Sequence, residues 1–123
     1  MDTRSLVSVV DDDESVRESL PDLLREFGFA VQPFRSGEEF LASEYPERTK
    51  CLVLDIAMPG MSGFDVQREL KLRQQRIPIV FITAHKDETV RPKVFEDGAV
   101  ACLLKPFSDT ALFQAMHAAL AAK

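Results

Sequence analysis

Acidic residues crowd one stretch of this chain, where Asp11-Asp12-Asp13-Glu14 follows directly on the apolar run Leu6–Val10. By itself the stretch reads as a solvated turn that caps a helix and complements its dipole. Asp55 changes that reading. It ends another apolar run, Cys51–Leu54, and lands beside Asp11 and Asp12 if the two runs are neighbouring strands. Like charges ~4 Å apart at an effective dielectric near 20 repel by about 4 kcal/mol, so something cationic has to offset them. An all-oxygen set of two or three carboxylates suits a hard divalent ion. Mg²⁺ suits it best, because it keeps several waters and takes only one or two protein carboxylates. Lys105 adds an ammonium and Thr83 a hydroxyl, each at the end of a further apolar run. A carboxylate beside bound Mg²⁺, with both groups aimed at the same point, can attack a phosphoryl group while the transferred oxygens are neutralised. Taken singly, Thr83 is a strand-former, Lys105 a solvated end residue and Pro106 a turn marker. Their convergence from separate loops is what points to chemistry.

Such convergence requires a scaffold. Strands are expected at Leu6–Val10, Phe29–Phe34, Cys51–Leu54, Ile79–Thr83 and Val100–Leu104, mostly as continuous apolar runs of the kind parallel strands buried on both faces show. Helical patterns lie between them. The first carries Val16, Leu20, Leu23, Leu24 and Phe27 on one face, stops at Gly28 and is expected to kink at Pro21. A second begins at Ser36, with Glu39 completing a capping box, and a third spans Phe64 to about Gln75 with Phe64, Leu70 and Leu72 as its apolar positions. The fourth, roughly Glu88 to Asp97, must hold Pro92 in its first turn, and the fifth runs from Ser108 as N-cap to Ala122 with Phe107 and Leu112 as a hydrophobic staple. This alternation predicts one α/β domain over residues 1–123, a doubly wound five-stranded parallel sheet. Pro33 cannot donate to a ladder, so the second strand belongs at an edge, as in the order 2-1-3-4-5. In that order the site lies beyond the carboxyl ends of the strands, between the first and third.

Composition narrows the function classes. Fifteen basic against twenty acidic residues give a net charge of −5, the wrong sign for coating phosphate backbones, so direct nucleic-acid binding is disfavoured. The longest purely apolar run, Ala99 to Leu104, falls far short of the ~20 residues of a membrane span, and no signal-peptide core opens the chain. A cytoplasmic location is expected. Cys51 and Cys102 form no CxxC motif and sit in apolar runs, as small buried hydrophobes do.

Val9-Val10-Asp11-Asp12, Leu52-Val53-Leu54-Asp55 with Met58-Pro59-Gly60-Met61-Ser62-Gly63, Ile82-Thr83-Ala84 and Lys105-Pro106-Phe107 together resemble the receiver domain of two-component response regulators. Ala84-His85-Lys86-Asp87 and Lys105-Pro106-Phe107-Ser108-Asp109 look most like the subgroup whose members carry a LuxR-type DNA-binding domain. The resemblance implies a flavodoxin-like (βα)5 receiver fold and makes Asp55 the phosphoacceptor. It implies Asp12 and Asp55 as direct Mg²⁺ ligands, joined by the backbone carbonyl of Ala57, with Asp11 acting through water. It gives Lys105 the phosphoryl oxygens, makes Thr83 the hydroxyl that reports phosphorylation, and makes the Lys105–Pro106 bond cis. The implied partner is a histidine kinase or phosphotransfer protein, with a homodimer as a further state once phosphorylated. Output is expected at the face formed by the fourth helix, fifth strand and fifth helix, acting on a partner or an attached DNA-binding domain.

Departures from the pattern are local. Asp13 and Glu14 extend the acidic run beyond what the resemblance needs and are assigned to capping. Ala57, two residues past the acceptor, cannot hold a water, and the matching place after Thr83 is His85. Cys102 stands where relatives usually carry an aromatic residue. Other classes fit less well. A flavodoxin-like redox carrier needs a phosphate-cradling loop where Asp11 to Glu14 stand, and an aspartyl phosphatase needs an acid where Ala57 stands. The domain is therefore expected to act as a phosphoacceptor with no substrate in trans, the alternative being a receiver-like interaction module that never takes phosphate.

Overall fold

A computed structural model of the chain describes residues 4–84 and 98–121. Its core is a five-stranded sheet of β1 (Leu6–Val10), β2 (Ala30–Phe34), β3 (Cys51–Asp55), β4 (Ile79–Thr83) and β5 (Ala101–Leu104), in the order β2-β1-β3-β4-β5. All four pairings are parallel. β3 and β4 are buried from end to end, as their unbroken apolar sequences require. Pro33 lies on β2 opposite Val9, at the edge where its missing N–H costs no second ladder. β2 and β5 each start one residue later than expected, at Ala30 and Ala101.

Helices cover both faces of the sheet. Helix α1 (Glu14–Glu26) is capped by Asp13, whose side chain accepts from the Ser15 N–H, and it continues as one element through the buried Pro21. Helix α2 (Gly37–Ala42) starts at Ser36, which accepts from Glu39 N as expected, but the Glu39 carboxylate turns to the N–H of Arg35 and the capping box stays open. The reciprocal box occurs at Ser62 and Asp65, at the start of helix α3 (Gly63–Leu72). That helix stops short of the expected Gln75 because Gln74 adopts a left-handed φ of 58°, a break no glycine announces in the sequence. Leu72, expected on its apolar face, is 74% exposed. The C-terminal helix (Asp109–Ala121) begins where Ser108 Oγ accepts from Ala111 N, and Phe107 and Leu112 enter the same apolar cluster. The expected fourth helix with Pro92, and His85 in the stretch before it, lie outside the described residues.

One core lies on each face of the sheet. Val10, Leu52, Leu54, Phe81 and Cys102 face α2 and α3, while Val7, Val9, Val53, Ile82 and Cys51 face α1 and the C-terminal helix. The two cysteines are therefore on opposite faces, and both are free.

Candidate functional site

Because all strands run the same way, their carboxyl ends form a single rim, and the polar residues that follow them meet there. Asp11 leaves β1 with its N–H donated to Phe34 O at 3.1 Å, and the residue is fully buried. Its Oδ1 accepts from Asp13 N at 2.9 Å and its Oδ2 from Lys105 Nζ at 2.8 Å. Asp12 is exposed. Asp55 closes β3 and is 5% exposed, and one carboxylate oxygen from each of Asp11, Asp12 and Asp55 lies within 4.8 Å of the others. Thr83, 2% exposed, ends β4, and its carbonyl accepts from Lys105 N at 2.8 Å, which ties the fourth strand to the fifth at the rim. The Lys105–Pro106 bond is cis. Ala57 is exposed, two residues past Asp55.

The electrostatics follow from this packing. Burial pushes the Asp55 carboxyl up to about 7, the negative charge of Asp11 adds to the rise, and the Lys105 ammonium opposes it. Lys105 sits 3.8 Å from Asp55 Oδ2, so its nearer partner is Asp11. Burial disfavours the Lys105 charge, yet the hydrogen bond it donates to Asp11 and the charges of Asp55, Asp11 and Asp13 outweigh it and hold the ammonium above its ordinary value. Among the described residues one cation thus faces three carboxylates, and this set carries surplus negative charge. Its donors are all oxygens, one of them on an exposed residue open to water, and this is the environment a hard divalent ion accepts.

Backbone contacts behind the rim decide where Asp55 stands. Ile56 N donates to Ile82 O at 3.1 Å, and Gly63 N donates to Ile56 O at 2.9 Å. A Cβ on Gly63 would meet Asp55 O at 2.5 Å and Ile56 Cα at 3.0 Å, so only glycine lets α3 start this close to the strand end. Arg17, on α1, donates from Nη1 to Asp11 O at 2.9 Å. Neither role is visible in residue types alone, although Gly63 belongs to the Met58–Gly63 motif. A cavity of about 1000 Å³ opens elsewhere, between the end of α3 and the segments leading into β4 and β5, lined by Gln67, Lys71, Gln75 and Ile79 among others. Among the described residues that line it, none carries a carboxylate, hydroxyl or thiol.

The arrangement has known counterparts. Residues 7–117 match the family model of the response regulator receiver domain. Nodulation protein W of Bradyrhizobium diazoefficiens is 46% identical over 117 residues, covering 95% of this chain and 52% of that protein. The transcriptional regulatory protein FixJ of Azorhizobium caulinodans is 39% identical over 114 residues, covering 93% of this chain and 54% of that protein. The solved structure of the response regulator StyR matches with a TM-score of 0.89 at 46% identity, covering 98% of this chain and 61% of that one. The chain spans about half the length of the curated relatives it matches. Among the described residues no helix is long and apolar enough to cross a membrane. With a family match over most of its length, the expected strand order and the carboxylates gathered at the rim, the chain belongs to the response regulator receiver domain family.

Proposed function

We propose that the domain is a phosphorylation-activated switch whose acceptor is Asp55. The observation that carries this reading is the placement of a buried carboxylate at the end of a central strand, within 4.8 Å of two further carboxylates and 3.8 Å from an ammonium. An Asp55 oxygen attacks the phosphorus of a phosphohistidine on a histidine kinase or phosphotransfer protein. The P–N bond breaks, an acyl phosphate forms, and the imidazole leaves with the electron pair. Lys105, already beside Asp55, neutralises the transferred oxygens, and the Thr83 hydroxyl reports their presence. Asp12 and Asp55 would hold Mg²⁺ directly with the Ala57 carbonyl, and Asp11 through water. When bound, the ion supplies positive charge that keeps Asp55 ionised and shields the phosphoryl oxygens.

The domain works on itself and has no substrate in trans. Its output leaves through the surface around β5 and the C-terminal helix, where Leu104 is exposed, toward a partner, a second copy or an attached LuxR-type DNA-binding domain in the cytoplasm. Incubation with acetyl phosphate and Mg²⁺ tests the reading by intact-protein mass spectrometry. One phosphoryl group is expected on the parent and none on Asp55→Asn; undiminished labelling of that variant contradicts the assignment.

A further inference from the structure

Arg17 lies on α1, outside the acidic set, yet it holds both ends of the turn that carries two of its members. Its backbone N–H donates to Asp13 O at 3.1 Å, and its Nη1 donates to Asp11 O at 2.9 Å. Between these anchored carbonyls stands Asp12, exposed and, among the described residues, without a hydrogen bond to its carboxylate. Everything else about Asp11 is fixed as well. Its N–H is given to Phe34 O, its Oδ1 accepts from Asp13 N, and its Oδ2 accepts from Lys105 Nζ. The direction in which Asp12 leaves the turn is therefore set by a backbone held on either side of it, and Arg17 makes both of the outer bonds.

The choice of acceptor is informative. A guanidinium recruited only to offset the surplus charge would face a carboxylate, but among the described residues Arg17 makes no ion pair and directs its side chain at a backbone carbonyl. Such a charge-assisted bond fixes position more tightly than one between neutral groups. We propose that Arg17 is a positioning residue for the divalent-cation pocket: it clamps the Asp11–Asp13 turn so that Asp12 stands opposite Asp55. The proposal rests on the acidic set being that pocket.

Charge and clamp make opposite predictions, and this makes the idea testable. Removing a positive charge near a cation site tightens cation binding, whereas loosening the groups that orient metal ligands weakens it, commonly by about 10- to 100-fold. Calorimetric titration with Mg²⁺ at fixed ionic strength compares the parent with Arg17→Met, which keeps the stem but neither charge nor donor. The clamp predicts that Arg17→Met binds about tenfold or more weakly. Binding by Arg17→Met as tight as the parent's or tighter overturns it. If Arg17→Met does not fold, Arg17→Lys decides. Its ammonium keeps the charge but ends one bond short of the Nη1 position, so weaker binding supports the clamp and unchanged binding overturns it. Asp12→Ala separates the two levels of inference, because equal Mg²⁺ binding by that variant and the parent means that the pocket itself is misassigned.

Discussion

Ser8 and Thr49 are buried as deeply as Asp11 and Asp55, at 0% and 7% exposure against 0% and 5%. The first pair is neutral and closed: the two hydroxyls lie 2.6 Å apart, and Thr49 Oγ1 donates on to Tyr45 O at 2.7 Å. The second pair is charged and open, with one ammonium among the described residues for three carboxylates and the Asp55 carboxyl pushed up to about 7 by burial. Both regions put polar groups inside the same small domain. The hydroxyl chain fastens the loop before β3 to β1 and leaves nothing for a ligand to complete. The rim is held by the same sheet but keeps, among the described residues, a charge imbalance that an added cation would offset, and that imbalance costs the isolated fold stability.

The comparison breaks most visibly at Lys105. Lys105→Met removes the only ammonium among the described residues within 4 Å of Asp11 and Asp55, leaving a buried charge without its partner. A loss of about 3 kcal/mol or more is expected in urea unfolding without Mg²⁺. Asp55→Asn should move the other way and raise the midpoint, because it removes a carboxylate that burial and Asp11 already disfavour. Midpoints that fall for both variants would mean that the rim is an ordinary balanced ion-pair network.

Thr49→Val is expected to cost about 1–3 kcal/mol, since it strands the Ser8 hydroxyl in the core, and to leave labelling by acetyl phosphate unchanged. A smaller effect belongs to the capping box of α3. Ser62→Ala should cost about 1 kcal/mol near neutral pH. The hydrogen bonds from the Ser62 backbone and side chain hold the Asp65 carboxyl below its ordinary value of 3.8. Their contribution is thus present above that value in the unfolded chain and is lost as pH falls through the lower folded value. The gap between parent and variant should accordingly narrow in acid. A gap that widens in unfolding curves recorded from pH 7 to pH 3 would remove Asp65 from the account.

Much of this was legible in the sequence because it depends on short patterns. Continuous apolar runs marked buried parallel strands, Pro33 marked the edge, and the strand order then brought Asp11, Asp12 and Asp55 to one place. What escaped depends on distances between segments. Gly63 is required by the carbonyl of Asp55, and Arg17 reaches the carbonyl of Asp11; neither contact leaves a periodic trace. The open box at Ser36 and the closed one at Ser62 differ in which backbone N–H the acidic side chain reaches, a choice set by how the preceding chain enters the helix. Gln74 ends α3 in a conformation its side chain does not advertise, and Leu72, turned about 200° around the helix from the buried Leu70, stays outside.

The central claim, that the open rim exists to make Asp55 an acceptor, is tested most directly by locating the phosphoryl group. Borohydride reduces an aspartyl phosphate to homoserine and leaves free carboxylates intact, so treatment after acetyl phosphate and Mg²⁺ writes the site into the sequence for peptide mass spectrometry. The account predicts homoserine at position 55 and at no other aspartate. Homoserine at position 11, 12 or 13, or unmodified Asp55 in protein that has taken up phosphate, would contradict it.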